Sequence, residues 1–500
     1  MTAHPAAVLD ARWRAVCDAD PQADLLHSGT LVLSRGEFEA LVAVEAQRLR
    51  EAGLASGDIV AWLGINTPQM LALLLACARV GTVFLPLNWR LAADELAAIC
   101  RHAGVALLKG SADQRALAAE LRASGAVPAR VSARPPSGLQ ADDVMLVYTS
   151  GTTGRPKGAI HTQQGMLANA EMAIAVQGLD PATRALAVLP MFHVGGLCIQ
   201  VLPTLLAGGQ VMLHARFDPG AWLHDVGAWR PSTSLLVPAT LQALLAHPDW
   251  AAAELHSLRF VNSGSSVVPV PLIEAFHARG VPVAQVYGST ETGPFSIALK
   301  PHQALAQVGR VGQPAPGVSL RLADRSHQPV APGMVGEIQL RGPNLMRAYH
   351  REPHEIAFTP DGWFATGDLG LTHPDGMTEV VGRLKDMVIS GGENIFPAEI
   401  ENLLVAAPGL AECAVVGLPD ERWGEVPVLA VVAQPGAELD LALLRAHYES
   451  RLARFKHPRQ VLQLPALPRT ALGKVQKPAL VALLQAELQA LLSQDKPNPG

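Results

Sequence analysis

Apolar and polar positions alternate along the chain in blocks that read in turn as helix and strand. Ser34-Arg35-Gly36-Glu37 is a capping box ahead of Phe38, Leu41, Val42 and Leu49, so a helix begins there. Gly57-Asp58 leads into the apolar run Ile59–Leu63, a strand, and Asn66-Thr67-Pro68 then opens a helix carrying Met70 to Val80. Gly81 and the strand Thr82–Leu85 follow. Strand, helix and strand in this order predict a crossover unit of a largely parallel sheet, and with it the α/β class.

The same grammar continues. Val144–Val147, apolar with β-branched ends, reads as a buried strand, and Gln163–Val176 as a polar helix. Ala185–Pro190 precedes Met191-Phe192-His193-Val194-Gly195-Gly196, and Leu258–Val261 and Val281–Val286 read as strands. Gly333–Arg341 and Glu379–Gly382 predict strands of an antiparallel module. Pro397 suits the first turn of a helix whose apolar side holds Ile400, Leu403 and Leu404. Ala414–Val416 and Val428–Val432 read as strands, Leu441–Leu452 as a helix, and 478–492 as an amphipathic packing helix. Residues 131–143 form a Pro/Gly/Ser loop, and the final DKPNPG is a disordered tail. A domain boundary is placed at 383–386, giving a large domain 1–383 and a small domain 384–500.

Composition narrows the function. A 500-residue chain with 49% hydrophobic residues can bury large cores. A net charge of −5 without a basic block argues against a nucleic-acid partner. The N-terminus lacks a basic-then-apolar signal sequence. The least charged stretch, Gly195–Leu213, contains Gln200, Pro203, Gly208, Gly209 and Gln210, which predict helix, turn and strand and no integral membrane segment. The five cysteines are scattered without a CxxC spacing, as in a reduced, cytoplasmic protein. His350 and His354 stand in the order HREPH, which is not a zinc motif, and no G-x-S-x-G nucleophile elbow occurs.

The densest chemistry lies at Tyr148–Gly158, YTSGTTGRPKG. Gly151, Gly154 and Gly158 allow a tight turn and close approach to a ligand. The hydroxyls of Thr149, Ser150, Thr152 and Thr153 and the cation of Lys157 suit anionic oxygens. This is polyphosphate chemistry without being a Walker A loop, because Pro156 precedes the lysine and no helix can start there. Two later strands end in polar, glycine-bearing segments, Asn262-Ser263-Gly264-Ser265-Ser266 and Tyr287-Gly288-Ser289-Thr290-Glu291-Thr292-Gly293. Ligands bind outside the carboxyl ends of parallel strands. Tyr287 offers a flat face for a base, and Glu291 a carboxylate suited to magnesium that also touches phosphate. Asp368, after Thr366-Gly367, is in ordinary turn chemistry and could also accept two ribose hydroxyls. His193 beside a glycine pair divides evenly between a structural and a functional role.

Six segments in order, YTSGTTGRPKG, PMFHVGG, YGSTETG, FATGDLG, GRLKDMVISGGENIFPAEIE and PRTALGK, resemble the adenylate-forming superfamily of acyl-CoA synthetases, peptide-synthetase adenylation domains and beetle luciferases. The chain is most similar to a stand-alone AMP-forming acyl-CoA synthetase using ATP, Mg2+ and CoA. The resemblance implies that Thr149, Ser150, Gly151, Thr152, Thr153, Gly154 and Lys157 hold the β- and γ-phosphates. Tyr287, with Gly288 and Ser289 beside it, packs on adenine, and the backbone of Gly264 and Ser265 covers its other face. Thr290 contacts the α-phosphate and Glu291 positions magnesium. Asp368 and Arg383 take the ribose hydroxyls, Lys385 is the hinge of a mobile C-terminal domain, and Gly391 and Gly392 line the pantetheine passage. Lys474 is the adenylation lysine. His193 borders the acyl and thiol channel, and Val194, Leu197, Val237, Pro238 and Phe295 belong to the acyl pocket. Ser265-Ser266 departs from the Gly or Ala usual in relatives. The pocket segments carry no Arg or Lys, so the expected acid is an apolar monocarboxylate, either aromatic (benzoate or hydroxycinnamate type) or short-to-medium aliphatic. An adenylation enzyme loading a carrier protein in trans is the alternative. A luciferase-like oxygenase and a catalytically dead nucleotide sensor are further readings.

Overall fold

Helix Pro68–Val80 buries every residue from Met70 to Ala78, and the large part of the molecule is layered around it. A helix apolar on all sides requires protein on all sides. Thr67 caps its start by accepting from the Met70 N–H at 3.3 Å, and Gly81 at φ 86° ends it. The computed structural model describes residues 8–128, 138–149, 156–265, 267–391, 393–405, 407–420, 422–449, 451–469 and 475–494.

One side of the helix faces a six-stranded sheet in the order Ala348–Tyr349, Lys157–Thr162, Asp143–Thr149, Val83–Leu87, Ile59–Leu63, Val105–Gly110. Ile59–Leu63 pairs in parallel with Val83–Leu87 across the helical crossover, as the pattern predicts. The other side faces a nine-stranded sheet whose central strands, Val283–Tyr287, Phe260–Ser263, Thr233–Leu236, Arg184–Ala187 and Gln210–Leu213, are all parallel. Val60, Phe84 and Val144 from the first sheet and Ala185, Val211 and Leu213 from the second share one core with this helix and with Leu197 to Leu206. Helices Ala93–Ala103 and Arg115–Ala123 cover the outer face of the first sheet. Pro219–Ala228, Pro238–Leu245 and Val270–His277 cover that of the second. The result is five layers, helices alternating with sheets.

Strands Ser319–Ala323, Gly336–Arg341, Phe364–Thr372 and Thr378–Arg383 make the expected antiparallel module. One reading is corrected here. The Thr366-Gly367-Asp368 segment is not a free turn but a bulge inside the strand Phe364–Thr372: it is skipped between the pairs Gln339–Ala365 and Glu337–Leu369 on one side, Gly367 takes φ 71°, and on the other side Asp368 pairs with Arg383. After Arg383 the chain builds a small α+β unit. Its sheet is centred on Gly424–Ala433, with helices Pro397–Leu404 and Leu441–Glu449 packed on one face and Lys477–Gln494 on the other. Among the described residues no helix is long and apolar enough to cross a membrane.

Candidate active site

The YTSGTTGRPKG segment occupies the end of a β-hairpin. Strand Asp143–Thr149 pairs antiparallel with Lys157–Thr162, and Thr149 opposite Lys157 is the last pair. A strand, not a helix, follows the loop, as Pro156 requires. Ser150, Gly151, Thr152, Thr153 and Gly154 lie outside the described residues. The Lys157 ammonium sits 5.2 Å from the centroid of the Tyr349 ring. Such a cation over an aromatic face is held by the ring quadrupole.

Tyr349 joins that hairpin to the Thr290–Thr292 turn. Its hydroxyl donates to Glu291 Oε1 at 2.9 Å, and Thr149 Oγ1 approaches the same oxygen at 3.4 Å. Burial, and then the Glu291 charge, push the Tyr349 phenol well above its usual range, so it stays a donor. Glu291 therefore presents a carboxylate among hydroxyls at the end of the hairpin where Thr149 pairs with Lys157. An oxygen-only donor set of this kind fits Mg2+, which keeps several waters and binds through one or two carboxylates plus phosphate.

Tyr287 ends its parallel strand beside this turn. Its hydroxyl donates to Asp368 Oδ2 at 2.9 Å, while Arg383 Nε lies 3.0 Å from Asp368 Oδ1. Asp368 and Arg383 are directly opposed on adjacent antiparallel strands, so the sheet register itself brings them together. Asp368 is 8% exposed, so its carboxylate is a preorganised acceptor rather than a solvated turn charge. Burial, and then Asp368, hold the Tyr287 phenol protonated far above neutral pH. The backbone after Tyr287 is tightly constrained: a Cβ at Gly288 would lie 2.1 Å from the Pro294 carbonyl oxygen.

Gly264 and Ser265 follow the neighbouring strand Phe260–Ser263. Ser265 has φ 71°, a left-handed conformation that favours glycine. Ser266 lies outside the described residues.

On the other side of the cleft, His193 precedes a helix running from Val194 to Leu206, and its ring lies 4.5 Å from that of Phe192. Leu197–Val201 forms a π turn within it. Such a turn frees carbonyls from the helix ladder. Asn169 Nδ2 takes the Cys198 carbonyl at 2.8 Å and Gln177 Nε2 takes that of Ile199 at 2.9 Å. Asn66 anchors the approach, accepting from Met191 N–H at 2.8 Å and donating to the Leu189 carbonyl at 2.9 Å. Val194 and Leu197 are buried, and Phe295 is 0% exposed in a cluster with Ile199, Leu235 and Val286. Val237 and Pro238 open the helix Pro238–Leu245 at the end of strand Thr233–Leu236.

In the C-terminal unit, Lys385 is exposed in the turn after strand Thr378–Arg383, where the Asp386 and Met387 N–H groups both bond the Arg383 carbonyl at 3.1 Å. Gly391 packs so closely on Trp423 that a Cβ would meet the ring at 2.6 Å. Gly392 and Lys474 lie outside the described residues.

Pattern reading missed the segment Asn344–His350, which stitches the two halves of the site together. Met346 N–H bonds the Glu291 carbonyl, Arg347 N–H that of Ile160, and His350 N–H that of Gly158, at 2.8, 2.8 and 2.7 Å. Arg347 also forms a two-pronged pair with the buried Asp143, at 2.9 and 2.7 Å. Tyr349, two residues from Arg347, offered only its phenol as a signal.

The family model described as AMP-binding enzyme matches residues 13–350, and that of the AMP-binding enzyme C-terminal domain matches 399–474. The chain is 44% identical over 473 residues to an indoleacetate–CoA ligase of Aromatoleum aromaticum, covering 89% of this chain and 92% of that protein. It is 41% identical to a feruloyl-CoA synthase of an Amycolatopsis species, over 91% and 95% of the two chains. Among solved structures, ATP-bound MatB from Rhodopseudomonas palustris superposes with a TM-score of 0.85 at 30% identity, over 95% of this chain and 98% of that one.

Proposed function

The chain belongs to the AMP-binding enzyme family and is an ATP-dependent, AMP-forming acid–CoA ligase, and on that premise we propose that it activates an aromatic monocarboxylic acid bearing a hydrogen-bond donor at its far end. The observation that carries this is Gln200, 2% exposed in the π turn behind Leu197. Its amide nitrogen donates to Thr233 Oγ1 at 2.7 Å and Asn262 Oδ1 at 2.9 Å, leaving Oε1 without a partner among the described residues. A buried acceptor without a donor is costly. A phenol hydroxyl or an indole N–H entering between the helix and the sheet would supply one. The names of the two relatives, indoleacetate and feruloyl, support an acid of this kind. The absence of Arg and Lys from the segments around Val194, Val237 and Phe295 speaks against a second carboxylate.

In the first step the acid's carboxylate attacks the α-phosphorus of ATP, forming acyl-AMP and releasing pyrophosphate. Thr149 to Lys157 hold the β- and γ-phosphates, Thr290 the α-phosphate, and Tyr287, Gly264, Ser265, Gly288 and Ser289 the adenine. Asp368 and Arg383 receive the ribose hydroxyls, and Lys474 bridges the approaching anions. Glu291 holds Mg2+, which neutralises phosphate charge when bound. This catalysis is positioning and electrostatics. The C-terminal domain, beginning just past Arg383, then turns about Lys385. CoA enters along Gly391 and Gly392, its thiolate attacks the acyl carbonyl beside His193, and AMP leaves. Five cysteines without a disulfide support a cytoplasmic setting.

A panel of acids scored by hydroxamate trapping tests the substrate. We expect 4-hydroxycinnamate and indole-3-acetate to exceed 4-methoxycinnamate by about tenfold or more in kcat/KM, since a site built for a donor rejects an analogue lacking it. Equal use of the methoxy acid, or preference for malonate, would overturn the proposal.

A further inference from the structure

Three successive carbonyls of the Thr290–Thr292 turn are each held by a donor from elsewhere. His161, buried at 2% exposure, hydrogen-bonds the Thr290 carbonyl through one ring nitrogen, and its Nε2 is the atom left over, so Nδ1–H is the donor. Met346 N–H takes the Glu291 carbonyl at 2.8 Å. Asn344 Nδ2 takes that of Thr292 at 2.6 Å and reaches Ser296 Oγ at 3.0 Å. The turn cannot shift without breaking one of these bonds. Gly293 is pressed against Asn344 as well, since a Cβ there would lie 2.3 Å from the Asn344 carbonyl oxygen.

His161 and Asn344 share a second feature. His161 Nε2 and Asn344 Oδ1 are both buried acceptors with no partner among the described residues. Both residues line one small cavity of about 10 Å³, together with Asn169, Val194, Cys198 and Gly293. That is room for about one water. One water has two O–H groups, which match two acceptors. The cavity wall includes Asn169, whose Nδ2 holds the π-turn carbonyl of Cys198 and whose Oδ1 receives the Phe295 N–H at 3.0 Å.

We propose that His161 and Asn344, bridged by a single buried water, are positioning residues that clamp the Thr290–Thr292 turn through its carbonyls and thereby set the reach of Thr290 and Glu291 toward ATP and its magnesium. The proposal rests on the roles of Thr290 and Glu291 given above. Neither His161 nor Asn344 touches substrate; each acts through a backbone carbonyl. A rigid turn keeps the Glu291 carboxylate, already held by Tyr349, at one distance from the phosphates. A loosened turn allows it to retreat, and the loss falls on the metal-dependent first step alone.

The test compares His161→Asn with His161→Gln in the full-length enzyme. The Asn amide places its nitrogen where Nδ1 was, and the Gln amide places its nitrogen near the Nε2 position. Pyrophosphate exchange is titrated with Mg2+, the acid KM is measured, and preformed acyl-adenylate plus CoA reports the second step. We expect His161→Gln to raise the half-maximal Mg2+ concentration and lower exchange by about tenfold, as for a lost hydrogen bond at a catalytic turn. Acid KM and the second step should stay within about twofold, and His161→Asn should recover most of the exchange. Asn344→Ala should behave like His161→Gln. The clamp is overturned if His161→Gln keeps the wild-type Mg2+ dependence, if Asn and Gln behave alike, or if both steps fall together. Glu291→Gln serves as the control. If it leaves the Mg2+ dependence unchanged, the assignment of Glu291 fails. If it shifts the dependence while His161→Gln does not, the clamp alone fails.

Discussion

Tyr287 donates its hydroxyl to Asp368 Oδ2 across 2.9 Å, joining the end of a parallel strand of the nine-stranded sheet to the antiparallel module. The base-stacking candidate and the ribose-binding candidate are thus one hydrogen-bonded unit, with Arg383 on the remaining oxygen of Asp368.

Tyr287→Phe keeps the ring and removes this bond. It should weaken ATP use by about 1 kcal/mol, close to a fivefold rise in KM. Asp368→Ala should cost about 1–3 kcal/mol or more, because ribose hydroxyls are then left without an acceptor. Both effects should appear in the ATP dependence of pyrophosphate exchange and be nearly absent from acid KM. Unchanged apparent ATP affinity in Asp368→Ala would remove the ribose assignment.

Two buried histidines make stability pH-dependent. Burial lowers His161 and His350 from 6.5 to about 4. The unfolded chain therefore binds protons that the folded chain refuses, and stability falls as pH falls. The stabilisation is complete above about pH 6.5 and is lost as pH drops toward 4. Each full shift corresponds to roughly 3 kcal/mol. Thermal midpoints measured from pH 7.5 to 4.5 should fall steadily, and less steeply in His350→Asn. Parallel curves for variant and wild type would exclude His350 as a source.

Ser265 at φ 71° carries the strain of a Cβ in the left-handed region. Ser265→Gly and Ser265→Ala both delete the hydroxyl, and only the first deletes the Cβ. The glycine variant should be the more stable of the two by about 1 kcal/mol in denaturant unfolding. Equal stabilities would mean that the conformation costs nothing here.

What could be read in the sequence is what local chemistry decides. The capping box at Ser34 and Glu37, the strand Ile59–Leu63 and the helix opened by Thr67 and Pro68 all lie where the pattern places them. The strand before Gly264 begins at Phe260, not Leu258, because apolar character alone does not mark where pairing starts. Asp368 looked like turn chemistry because Thr-Gly-Asp favours turns; the strand accommodates that preference as a bulge against Gly336–Arg341, while the pairing of Asp368 with Arg383 keeps the segment in the sheet. Glu291 could be singled out from its own segment, but its partner Tyr349 could not, since their contact spans 58 residues. The Asp143–Arg347 pair spans 204 and was equally hidden.

Lys385→Pro should separate the two half-reactions. Lys385 sits in the turn where the Arg383 carbonyl receives two N–H groups, directly after the last strand of the antiparallel module. Proline holds φ near −65° and limits the rotation a hinge must make. One half-reaction should survive and the other be lost. Equal loss of both would place the hinge elsewhere.

Lys474 should be required for adenylation and nearly dispensable for thioester formation. It lies outside the described residues, but Arg469 and Val475, on either side of the 470–474 segment, pair antiparallel, and Gln476 N–H bonds the Pro468 carbonyl at 2.8 Å. Arg469 is pinned in turn to Glu412 at 2.6 Å. The residues on either side of that segment are therefore held to the C-terminal unit. In the first step a carboxylate approaches the α-phosphate while charge moves onto the departing pyrophosphate. An ammonium between the two anions offsets their repulsion as a point charge. Removing one such preorganised group costs on the order of 10²–10³ in rate. If the domain has turned by the second step, the lysine is far from the acyl carbonyl and its charge no longer matters. The same reasoning predicts that acylation of Lys474, which removes its charge, switches off the first step only. Lys474→Ala should be given either ATP plus acid, or preformed acyl-adenylate plus CoA. A large loss in the first assay with near-normal turnover in the second is the expected result. Equal loss in both, or full adenylation activity, would show that this lysine is not the adenylation residue.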